Sequence, residues 1–510
     1  MRRTCFGPRH GLFWGGLTAF LLTGCGATPS SLPPQKSVAA PVILDTKARR
    51  AAVGEVVASL DEMLEALRVE TGAPGLSAAV LLDGEVIWQG AAGMADAEAK
   101  APMATATVGR AASVTKLFTG AAILMLRDAG LLSLDAPVAT YLPEVAEVLY
   151  PSADSPRMTV RHLVTHTSGL PRLGQLDYVT RPAQGPTADE VLAGLKGLAL
   201  ESVPGQRVTY SNLGAALAGI LVSRVAQMPY ETFVTERILK PLGMAASKWS
   251  RDGYAPSQVA TGSPKADVGL FAPHHWVFGA ANAAGGLYLN ADDLAKFGAF
   301  QLAAWPPRDA EDTAPLRRAS IRESHLLAGG GAGKGGHGIF WVVSSSGPLG
   351  HVVGHTGATD KFSSSIILAP QKGVGAVALA NLGMGVTDPV VGKLTMALVS
   401  ALESVAIQVP PALAKGVERV SAMMTSPTLE VTSVQFTADY RKIVPDAAVV
   451  GLFERLGQVP GPCKIGAAIE VVNPAAGSFR IGCKGRSFRL DLSVEDAAPH
   501  LITALRIKPE

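Results

Sequence analysis

Residues 110–130 read RAASVTKLFTGAAILMLRDAG, a short polar start followed by an apolar segment. The pattern predicts a helix that runs through Ala129 and stops at Gly130, a residue type common just past helix ends. Ser113 and Lys116 lie one turn apart at its start, so their side chains share a face. A serine needs a neighbouring base to act as a nucleophile, and a buried lysine can lose its charge and serve in proton transfer. Because Ser-x-x-Lys also occurs by chance, an ordinary first helical turn is the alternative.

A second motif, Tyr210-Ser211-Asn212, follows Pro204-Gly205 and opens another apolar segment. A tyrosine close to a lysine can act as general base for the nucleophile and then as general acid for the leaving group. Asn212 can hold the lysine or hydrogen-bond a substrate amide. In isolation the motif also suits a half-buried tyrosine followed by a Ser-Asn helix cap.

A third motif, His355-Thr356-Gly357, falls on a predicted strand and precedes Ala358. A glycine at this position lets a substrate backbone approach the strand edge closely. Thr356 offers a hydroxyl for a substrate carboxylate, and His355 a further donor. The backbone N–H groups of Ala358 and Ser113 are candidates for an oxyanion hole. Taken alone, His355 also fits a structural histidine.

Together and in this order, the motifs resemble those of the β-lactamase-related serine hydrolases. This group contains class C β-lactamases, D-alanyl-D-alanine carboxypeptidases, D-aminopeptidases and related esterases. The resemblance covers about residues 55–400. The stretches that carry it are RAASVTK (110–116), HLVTHTSGLP (162–171), AAGGL (283–287) and GHTG (354–357).

The resemblance implies an α/β (α+β) fold, in which an antiparallel sheet flanked by helices meets a helical lobe, with the site in the cleft between them. It implies that Ser113 is the nucleophile, Lys116 its activating partner, and Tyr210 the shared base and acid. The resemblance assigns structural rather than catalytic roles to His166 and Ser168. Five further residues are assigned to substrate binding: Asn212, His355, Thr356, Gly357 and Ala358.

The sequence departs from the family pattern at two points. His355 stands where a typical class C β-lactamase has lysine. Peptidases and esterases of the family often have a histidine at this position. The histidine therefore argues against efficient antibiotic hydrolysis. Ala358-Thr359-Asp360 replaces a glycine-rich stretch, and Asp360 is expected to bias against anionic substrates. The class A pattern fails, because Tyr-Ser-Asn stands in place of Ser-Asp-Asn.

The order of predicted elements agrees with one α/β domain that carries a helical insertion. A helix over 51–69 precedes a hairpin of strands 76–82 and 85–91, with Asp83-Gly84 as its turn. Residues 131–285 are predicted to be mostly helical, with helix starts at Thr159 and Thr187 and a buried helix over 212–226. Four strands are then predicted, over 340–344, 352–356, 363–368 and 374–380.

A second, smaller α+β domain is predicted after Pro410-Pro411, which gives a hydrolase domain over 51–409 and an accessory domain over 410–510. The smaller domain contains a helix over 437–456 and antiparallel strands over 467–472, 479–482, 488–492 and 502–507. Cys463 and Cys483 remain as a pair in an exported chain, so a disulfide is expected. Neither has a ligand partner at metal-binding spacing, and no metal or cofactor is expected.

The N-terminus predicts an exported lipoprotein of a bacterial cell envelope. Residues 1–24 contain three arginines and a short apolar run, which is typical of a signal peptide, and Leu22-Thr23-Gly24-Cys25 resembles a lipobox. Lipid on Cys25 would anchor the protein to a membrane through a tether over 25–50. A plain signal peptide is the alternative. Which leaflet is involved and the oligomeric state are left open.

The charge of the chain and its remaining motifs argue against several other classes of protein. Without the signal peptide the chain has 42 basic and 42 acidic residues, so nothing favours a nucleic acid partner. The glycine-rich segment 329–338 lacks the phosphate-loop pattern and is expected to be a flexible loop. There is no Gly-x-Ser-x-Gly elbow of an α/β-hydrolase.

The function expected is that of a serine hydrolase that forms an acyl-enzyme on Ser113 and cleaves amide or ester bonds. The favoured small-molecule or peptide substrates are D-amino-acid-containing peptides or small esters. Two alternatives stay open: a β-lactam-binding acyl-trap or sensor with little turnover, and a structural relative without chemistry.

Overall fold

The computed structural model describes residues 46–176, 184–263, 276–307, 312, 314–331, 335–402, 409–473, 475–495 and 498–509. The predictions for the signal peptide, for Cys25 and for most of the tether lie outside these residues. None of the helices in the described part of the chain has the length and apolar character needed to span a bilayer.

Helices of the described residues are numbered here in chain order. They are α1 (Thr46–Ala58), α2 (Leu60–Thr71), α3 (Thr115–Asp128), α4 (Val160–Val164), α5 (Ala188–Ala193), α6 (Asn212–Ala226), α7 (Tyr230–Val234), α8 (Asn282–Gly285), α9 (Ala291–Leu302), α10 (Arg318–Ser324), α11 (Asp388–Leu402), α12 (Pro411–Thr425), α13 (Leu429–Ser433), α14 (Ala438–Ile443) and α15 (Asp446–Gly457).

Strands are numbered in the same way. They are β1 (Gly75–Leu82), β2 (Glu85–Asp96), β3 (Ala101–Pro102), β4 (Gly109–Arg110), β5 (Tyr288–Leu289), β6 (Gly329–Gly331), β7 (Gly335–His337), β8 (Val342–Ser346), β9 (Gly350–Ala358), β10 (Ser363–Ala369), β11 (Val374–Ala380), β12 (Lys464–Asn473), β13 (Ala476–Cys483), β14 (Arg486–Val494) and β15 (Ile502–Pro509).

One antiparallel sheet organises the first part of the chain, in the order β3-β2-β1-β11-β10-β9-β8-β7-β6. Its interior strand β1 is buried along its whole length. Alternate β1 residues enter two different cores: Ala79 and Leu81 face one, whereas Ala78 and Val80 face the core that α1, α2 and α11 complete. Helices therefore cover both faces, which explains why β1 has the continuous apolar sequence of a doubly covered strand.

The hairpin predicted at the start of the domain is confirmed. Asp83 and Gly84 have φ angles of 52° and 84°, which is the left-handed pair that a two-residue turn between twisted strands requires. The single helix expected over 51–69 is wrong, because α1 and α2 are separate and α1 begins at Thr46, inside the segment expected to be a tether. Ser59 lies at the break, where its Oγ donates to the carbonyl of Val56 at 2.9 Å and competes with helical bonding.

The region 131–285 is less helical than expected. Helix α6 begins and ends where predicted, Thr159 is the N-cap of α4 as predicted although α4 already ends at Val164, and the predicted capping box at Thr187 opens α5. Most of the other described residues of this region form turns and single-turn helices, because prolines recur here and each removes a backbone donor. The helical lobe is therefore built around the fully buried face of α6 rather than from a succession of long helices.

The glycine-rich segment is also different from the expected loop. Its described residues include the edge strand β6 and the strand β7, which pairs with β6 on one side and with β8 on the other. A side chain at Gly336 would meet the carbonyl of Gly329 at 2.2 Å, so the two strands lie backbone against backbone. The strand expected over 340–344 begins two residues later, and it follows Phe340, whose φ is +57°.

The C-terminal elements enclose a core of their own. Helix α12 packs on a four-stranded antiparallel sheet in the order β12-β13-β14-β15, and α15 packs against α12. Helix α12 was not predicted, and the helix expected over 437–456 is divided into α14 and α15 at Pro445. Gly416 permits the close contact of α12 with the sheet, since a Cβ there would lie 2.4 Å from Val494. The division of the chain at Pro410 stays a prediction.

Cys463 and Cys483 are joined by a disulfide that ties the start of β12 to the end of β13. The bond closes a loop with a sequence separation of 20 residues. Replacing both cysteines by serine is expected to destabilise this part of the chain by about 3 kcal/mol, because the unfolded chain regains the entropy of the open loop. Hydrogen exchange over residues 409–509 measures the loss. Equal protection of the two proteins under oxidising conditions would show that the disulfide adds no stability.

Candidate active site

The segment before Ser113 has a strained backbone. Strand β4 ends at Arg110, and residues 112–114 form one turn of 3-10 helix before α3 begins. Ala112 has φ +45°, a conformation that costs free energy for a residue with a side chain. The neighbouring Ala111 donates its N–H to the carbonyl of Leu287 at 2.9 Å, which helps to hold the turn. Ser113 is thereby presented half-buried at the start of α3.

Lys116 lies one turn further on and is fully buried. Its Nζ is 3.2 Å from Ser113 Oγ and donates to the carbonyl of Ala284 at 2.6 Å. Burial, together with the charge of nearby Arg172, holds the pKa of Lys116 well below its usual value. An amine with a lowered pKa can accept a proton from the hydroxyl beside it. The pair therefore has the geometry and the electrostatics of an activated serine.

The acceptor for Lys116 belongs to α8, a site contribution that the sequence reasoning did not identify. Lys116 donates to the carbonyl of Ala284. The carbonyl of the preceding residue, Ala283, accepts from the hydroxyl of Thr119 of α3 at 2.8 Å. Helix α6 supports α8 from the other side, where a Cβ at Gly219 would lie 2.4 Å from the Cβ of Ala283. The AAGGL stretch thus has a definable role, because it places two backbone carbonyls against α3.

Tyr210 faces the same lysine. Its ring centroid is 4.9 Å from Lys116 Nζ, and its side chain is half-buried. Ser211 caps α6 by accepting from the N–H of Gly214 at 2.9 Å, and the N–H of Asn212 donates to the carbonyl of Arg172 at 2.8 Å. The structure therefore brings the first two sequence motifs together at the starts of two helices.

His166 holds the tyrosine segment in place. Its backbone carbonyl accepts from Thr209 at 2.7 Å, and its Nδ1 accepts from the N–H of Ser211 at 3.1 Å. Its ring lies 4.4 Å from the ring of Tyr210. This bonding agrees with the structural role expected for His166. Ser168 is buried nearby and accepts from the N–H of Leu170 at 3.3 Å.

Two more imidazoles surround Tyr210. The ring of His355 is 6.1 Å from it, and that of His337 is 6.5 Å from it and 4.9 Å from His166. Each of the three histidines has one buried ring nitrogen without a hydrogen-bond partner among the described residues. Burial lowers the pKa of His355 to about 3 and of His337 to about 4, and burial with nearby cations lowers that of His166 well below 6.5. The rings are therefore neutral at physiological pH.

Strand β9 carries the third motif along an open edge. Strand β8 pairs with β9 only as far as Gly354, so the following residues have no β8 partner, and Thr356 and Ala358 are exposed. His355 is buried, with its Nδ1 2.7 Å from the carbonyl of Thr356. Gly357 has a different role from the one expected. A Cβ there would lie 2.2 Å from the carbonyl of Ala111, so the glycine admits the chain's own nucleophile turn.

Asp360, two residues after β9 ends, is buried. Only 7% of it is exposed, and its Oδ2 is buried without a hydrogen-bond partner among the described residues. Desolvation raises the pKa of this carboxyl, which nearby Lys361 and Arg110 oppose only in part. A buried carboxyl of this kind presents little negative charge to a substrate. The expected bias against anionic substrates therefore has no support in the structure.

Arg172 and His337 also lie at the site, although sequence reasoning did not select them. Arg172 follows the recognisable HTSGLP stretch, and its guanidinium carbon lies 5.3 Å from the centroid of the Tyr210 ring. His337 lies in the glycine-rich segment 329–338, which was expected to be a loop. Among the described residues no group of three His, Cys, Asp or Glu side chains is arranged to hold a metal ion.

A helical lobe against an antiparallel sheet, with a Ser-x-x-Lys helix at their junction, defines the β-lactamase/penicillin-binding-protein fold. The family model named Beta-lactamase matches residues 60–400, and the chain belongs to that family. Solved structures with this fold include three that resemble the chain at 21–23% identity. A class C β-lactamase has a TM-score of 0.57 and covers 72% of this chain and 99% of its own.

The other two structures come from named organisms. The β-lactamase/D-alanine carboxypeptidase from Yersinia pestis has a TM-score of 0.55 and covers 70% of this chain and 100% of its own. The octameric penicillin-binding protein homologue from Pyrococcus abyssi also has a TM-score of 0.55, and it covers 89% of this chain and 91% of its own. This structural match therefore covers a larger part of the chain than residues 60–400, the part that the family model matches.

The alignments with curated relatives cover only part of each protein. Protein flp of Staphylococcus aureus (strain COL) is 27% identical over 337 residues, which are 64% of this chain and 63% of that protein. Beta-lactamase-like protein 2 of Dictyostelium discoideum is 31% identical over 258 residues, 48% of this chain and 45% of that protein. The chain thus spans less than two thirds of the length of either relative.

The neutral imidazoles predict how stability depends on pH. His337 and His355 have pKa values near 4 and 3 when folded, whereas an unfolded histidine titrates near 6.5. Their contribution to stability is complete above pH 6.5 and is lost as pH falls, because unfolding then takes up protons. Replacing His337 by asparagine should lower the slope of unfolding free energy against pH between 6 and 4.5 by up to about 1.4 kcal/mol per pH unit.

Thermal unfolding of both proteins, measured from pH 4.5 to 8, tests this expectation. The difference between them at pH 8 gives the cost of the substitution itself, because the histidine is neutral there in both states. Parallel curves across the whole range would contradict a depressed pKa at His337.

Proposed function

We propose that this protein is a serine hydrolase that acts through an acyl-enzyme on Ser113 and cleaves amide or ester bonds. The observation that carries the proposal is the 3.2 Å contact between Ser113 Oγ and the buried amine of Lys116, with the Tyr210 ring centroid 4.9 Å from that amine. Membership of the Beta-lactamase family supports it. A purely structural role would not require a fully buried lysine at this place.

In the acylation step, Ser113 Oγ attacks the substrate carbonyl carbon while its proton passes to Lys116 or Tyr210. The tetrahedral intermediate then collapses, the bond to the leaving nitrogen or oxygen breaks, and Tyr210 returns the proton to that atom. In the deacylation step, water attacks the acyl ester, with the same residues taking its proton and returning one to Ser113 Oγ. Atoms and charges balance without any cofactor.

Strand β9 is proposed to bind the substrate along its open edge. The exposed side chain of Thr356 is available to a substrate carboxylate, and Asn212 lies where α6 begins, beside the tyrosine. The backbone N–H groups of Ser113 and Ala358 are proposed as the oxyanion hole. Gly357 brings these two segments close, because it admits the carbonyl of Ala111.

The substrates proposed are D-amino-acid-containing peptides or small esters at a bacterial cell envelope. The neutral state of His355 supports the argument against efficient antibiotic hydrolysis, since this residue brings no positive charge to the third motif. The Yersinia relative is described as a β-lactamase/D-alanine carboxypeptidase, which agrees with a peptide substrate. A hydrolase would turn over after acylation, whereas an acyl-trap would be acylated with little turnover.

The nucleophile can be tested by labelling. Ser113→Ala should abolish reaction with a fluorophosphonate and with fluorescent penicillin, and should lower kcat toward p-nitrophenyl acetate by roughly 10³-fold or more. Ser152→Ala, in an exposed turn, is the matched control. Full labelling of the Ser113→Ala protein would disprove the mechanism. Labelling of the wild type without turnover would identify an acyl-trap.

The membrane anchor is proposed from the Leu22-Thr23-Gly24-Cys25 sequence. Cys25→Ser expressed in a bacterial host should incorporate no labelled palmitate and should move from the membrane to the soluble fraction. The disulfide variant of Cys463 and Cys483 serves as control, because it removes cysteines without touching the anchor. Unchanged lipid incorporation in the Cys25→Ser protein would contradict a lipoprotein.

A further inference from the structure

The C-terminal sheet has one apolar face and one polar face. Phe479, Ile481, Leu490 and Leu492 lie in the core that α12 and α15 complete. Because successive residues of a strand point to opposite faces, the residues between them lie on the other face. This second face, which we call the basic face, carries five cations. They are Lys464, Arg480, Arg489, Arg506 and Lys508.

Three of these cations occupy directly opposed positions on neighbouring strands. Arg480 is paired with Arg489, and Arg489 is paired with Lys508. Like charges in opposed cross-strand positions destabilise a sheet. Asp491 offsets part of this repulsion, because it accepts from Arg489 Nε at 2.7 Å and lies 3.5 Å from Lys508 Nζ. An external anion that lowered the remaining repulsion would stabilise the row.

Within the four strands, the basic face has fewer acids than cations. Asp491 takes one position on it, and Glu470 takes another, each opposite Ser478. Five cations and two acids leave an excess of three positive charges. Without residues 1–24 the chain as a whole is formally neutral. The excess is therefore a local concentration of charge, which raises the electrostatic potential over this face.

Short side chains lie between the cations of the basic face. Lys464 is opposite Gly482, and Arg506 is two residues from Ala504 on β15. Both cations are exposed, and neither forms an ion pair with an acid in the part of the chain that the structure describes. Both charges are therefore accessible at the same time to an anionic surface that lies against the sheet.

We propose that the basic face docks on the anionic surface of a lipid bilayer by binding the phosphates of its headgroups. A bilayer is favoured over a single strand of a soluble polyanion because the cations spread over all four strands, about 14 Å across, rather than along one line. This inference rests on the envelope location proposed above. Residues 25–45, between the proposed lipid and α1, span up to about 70 Å when extended, so the anchor lets this face reach the bilayer.

Vesicle binding tests the proposal. The protein used is the chain from residue 25 onward with Cys25→Ser, which keeps every described residue and carries no lipid. Its molar partition coefficient is measured by co-sedimentation with phosphatidylcholine vesicles and with vesicles in which about a third of the lipid is phosphatidylglycerol. Binding should require the anionic lipid and should weaken at high salt, because screening shortens the reach of each charge.

Lys464→Gln combined with Arg506→Gln removes two charges from the basic face. The partition coefficient should fall about 25-fold, because each cation near an anionic membrane contributes roughly fivefold to binding. Lys100→Gln combined with Lys196→Gln is the matched control, since both lysines are exposed and lie outside the C-terminal sheet. The control should bind as the wild type does. Thermal unfolding verifies that both double variants are folded, and Arg506→Gln alone, with a loss of about fivefold, replaces a face variant that is not.

Three results overturn the docking surface. Equal binding to the two kinds of vesicle shows that anionic headgroups are not recognised. Equal losses in the face variant and in the control show a general effect of net charge. Retention on heparin without binding to phosphatidylglycerol vesicles identifies a soluble polyanion as the partner instead.

Failure of the earlier proposals is measured separately. A wild type that does not label at Ser113 overturns the hydrolase and leaves vesicle binding unaffected. A missing palmitate label on Cys25 overturns the lipid anchor, whereas vesicle binding is measured on the chain without lipid.

Discussion

The burial of Lys116 is the constraint on which the site depends. A charged amine in an apolar interior is costly, so the surrounding structure either pairs it with an acid or lowers its pKa. No acid among the described residues forms an ion pair with it. Its described contacts are the Ser113 hydroxyl, a backbone carbonyl of α8 and the face of Tyr210. The lowered pKa makes this amine a better proton acceptor, and it lies 3.2 Å from the Ser113 hydroxyl.

The fold is arranged to hold that lysine from three directions. Helix α3 is packed between the large sheet and the helical lobe, and α6 and α8 close over it. Small residues make these contacts possible, because Gly219 lets α6 reach α8 and Gly357 lets β9 reach the turn before Ser113. A larger side chain at either position would separate the motifs by more than a hydrogen bond can span.

The electrostatic character of the cleft follows from the same burial. Three imidazoles, one lysine and one arginine surround Tyr210, and desolvation keeps the imidazoles uncharged. A cluster of basic groups is therefore compatible with a stable fold, since burial disfavours the charged forms of Lys116 and the imidazoles, and Arg172 is exposed. Arg172, 5.3 Å from the Tyr210 ring centroid and exposed, is then a positively charged group at the edge of this cluster.

The sequence by itself determined the elements that depend on local chemistry. The Asp83-Gly84 turn, the caps at Thr159 and Thr187, the extent of α6 and the three motifs could all be read from neighbouring residues, because turns, caps and helix faces involve contacts within a few positions. It also indicated the family, since the motifs occur in a fixed order. Where it failed locally, a side chain or a proline competed with the helix, as at Ser59 and Pro445.

Only the tertiary structure decided what each motif contacts. The acceptor for Lys116 is a carbonyl 168 positions away, and the space at Gly357 is filled by Ala111 rather than by a substrate. His337 joined the site through strand pairing of a segment that looks like a loop, and Asp360 turned inward. These outcomes depend on packing between segments distant in sequence, and the side-chain pattern of one segment contains no information about which partner will fill the space beside it.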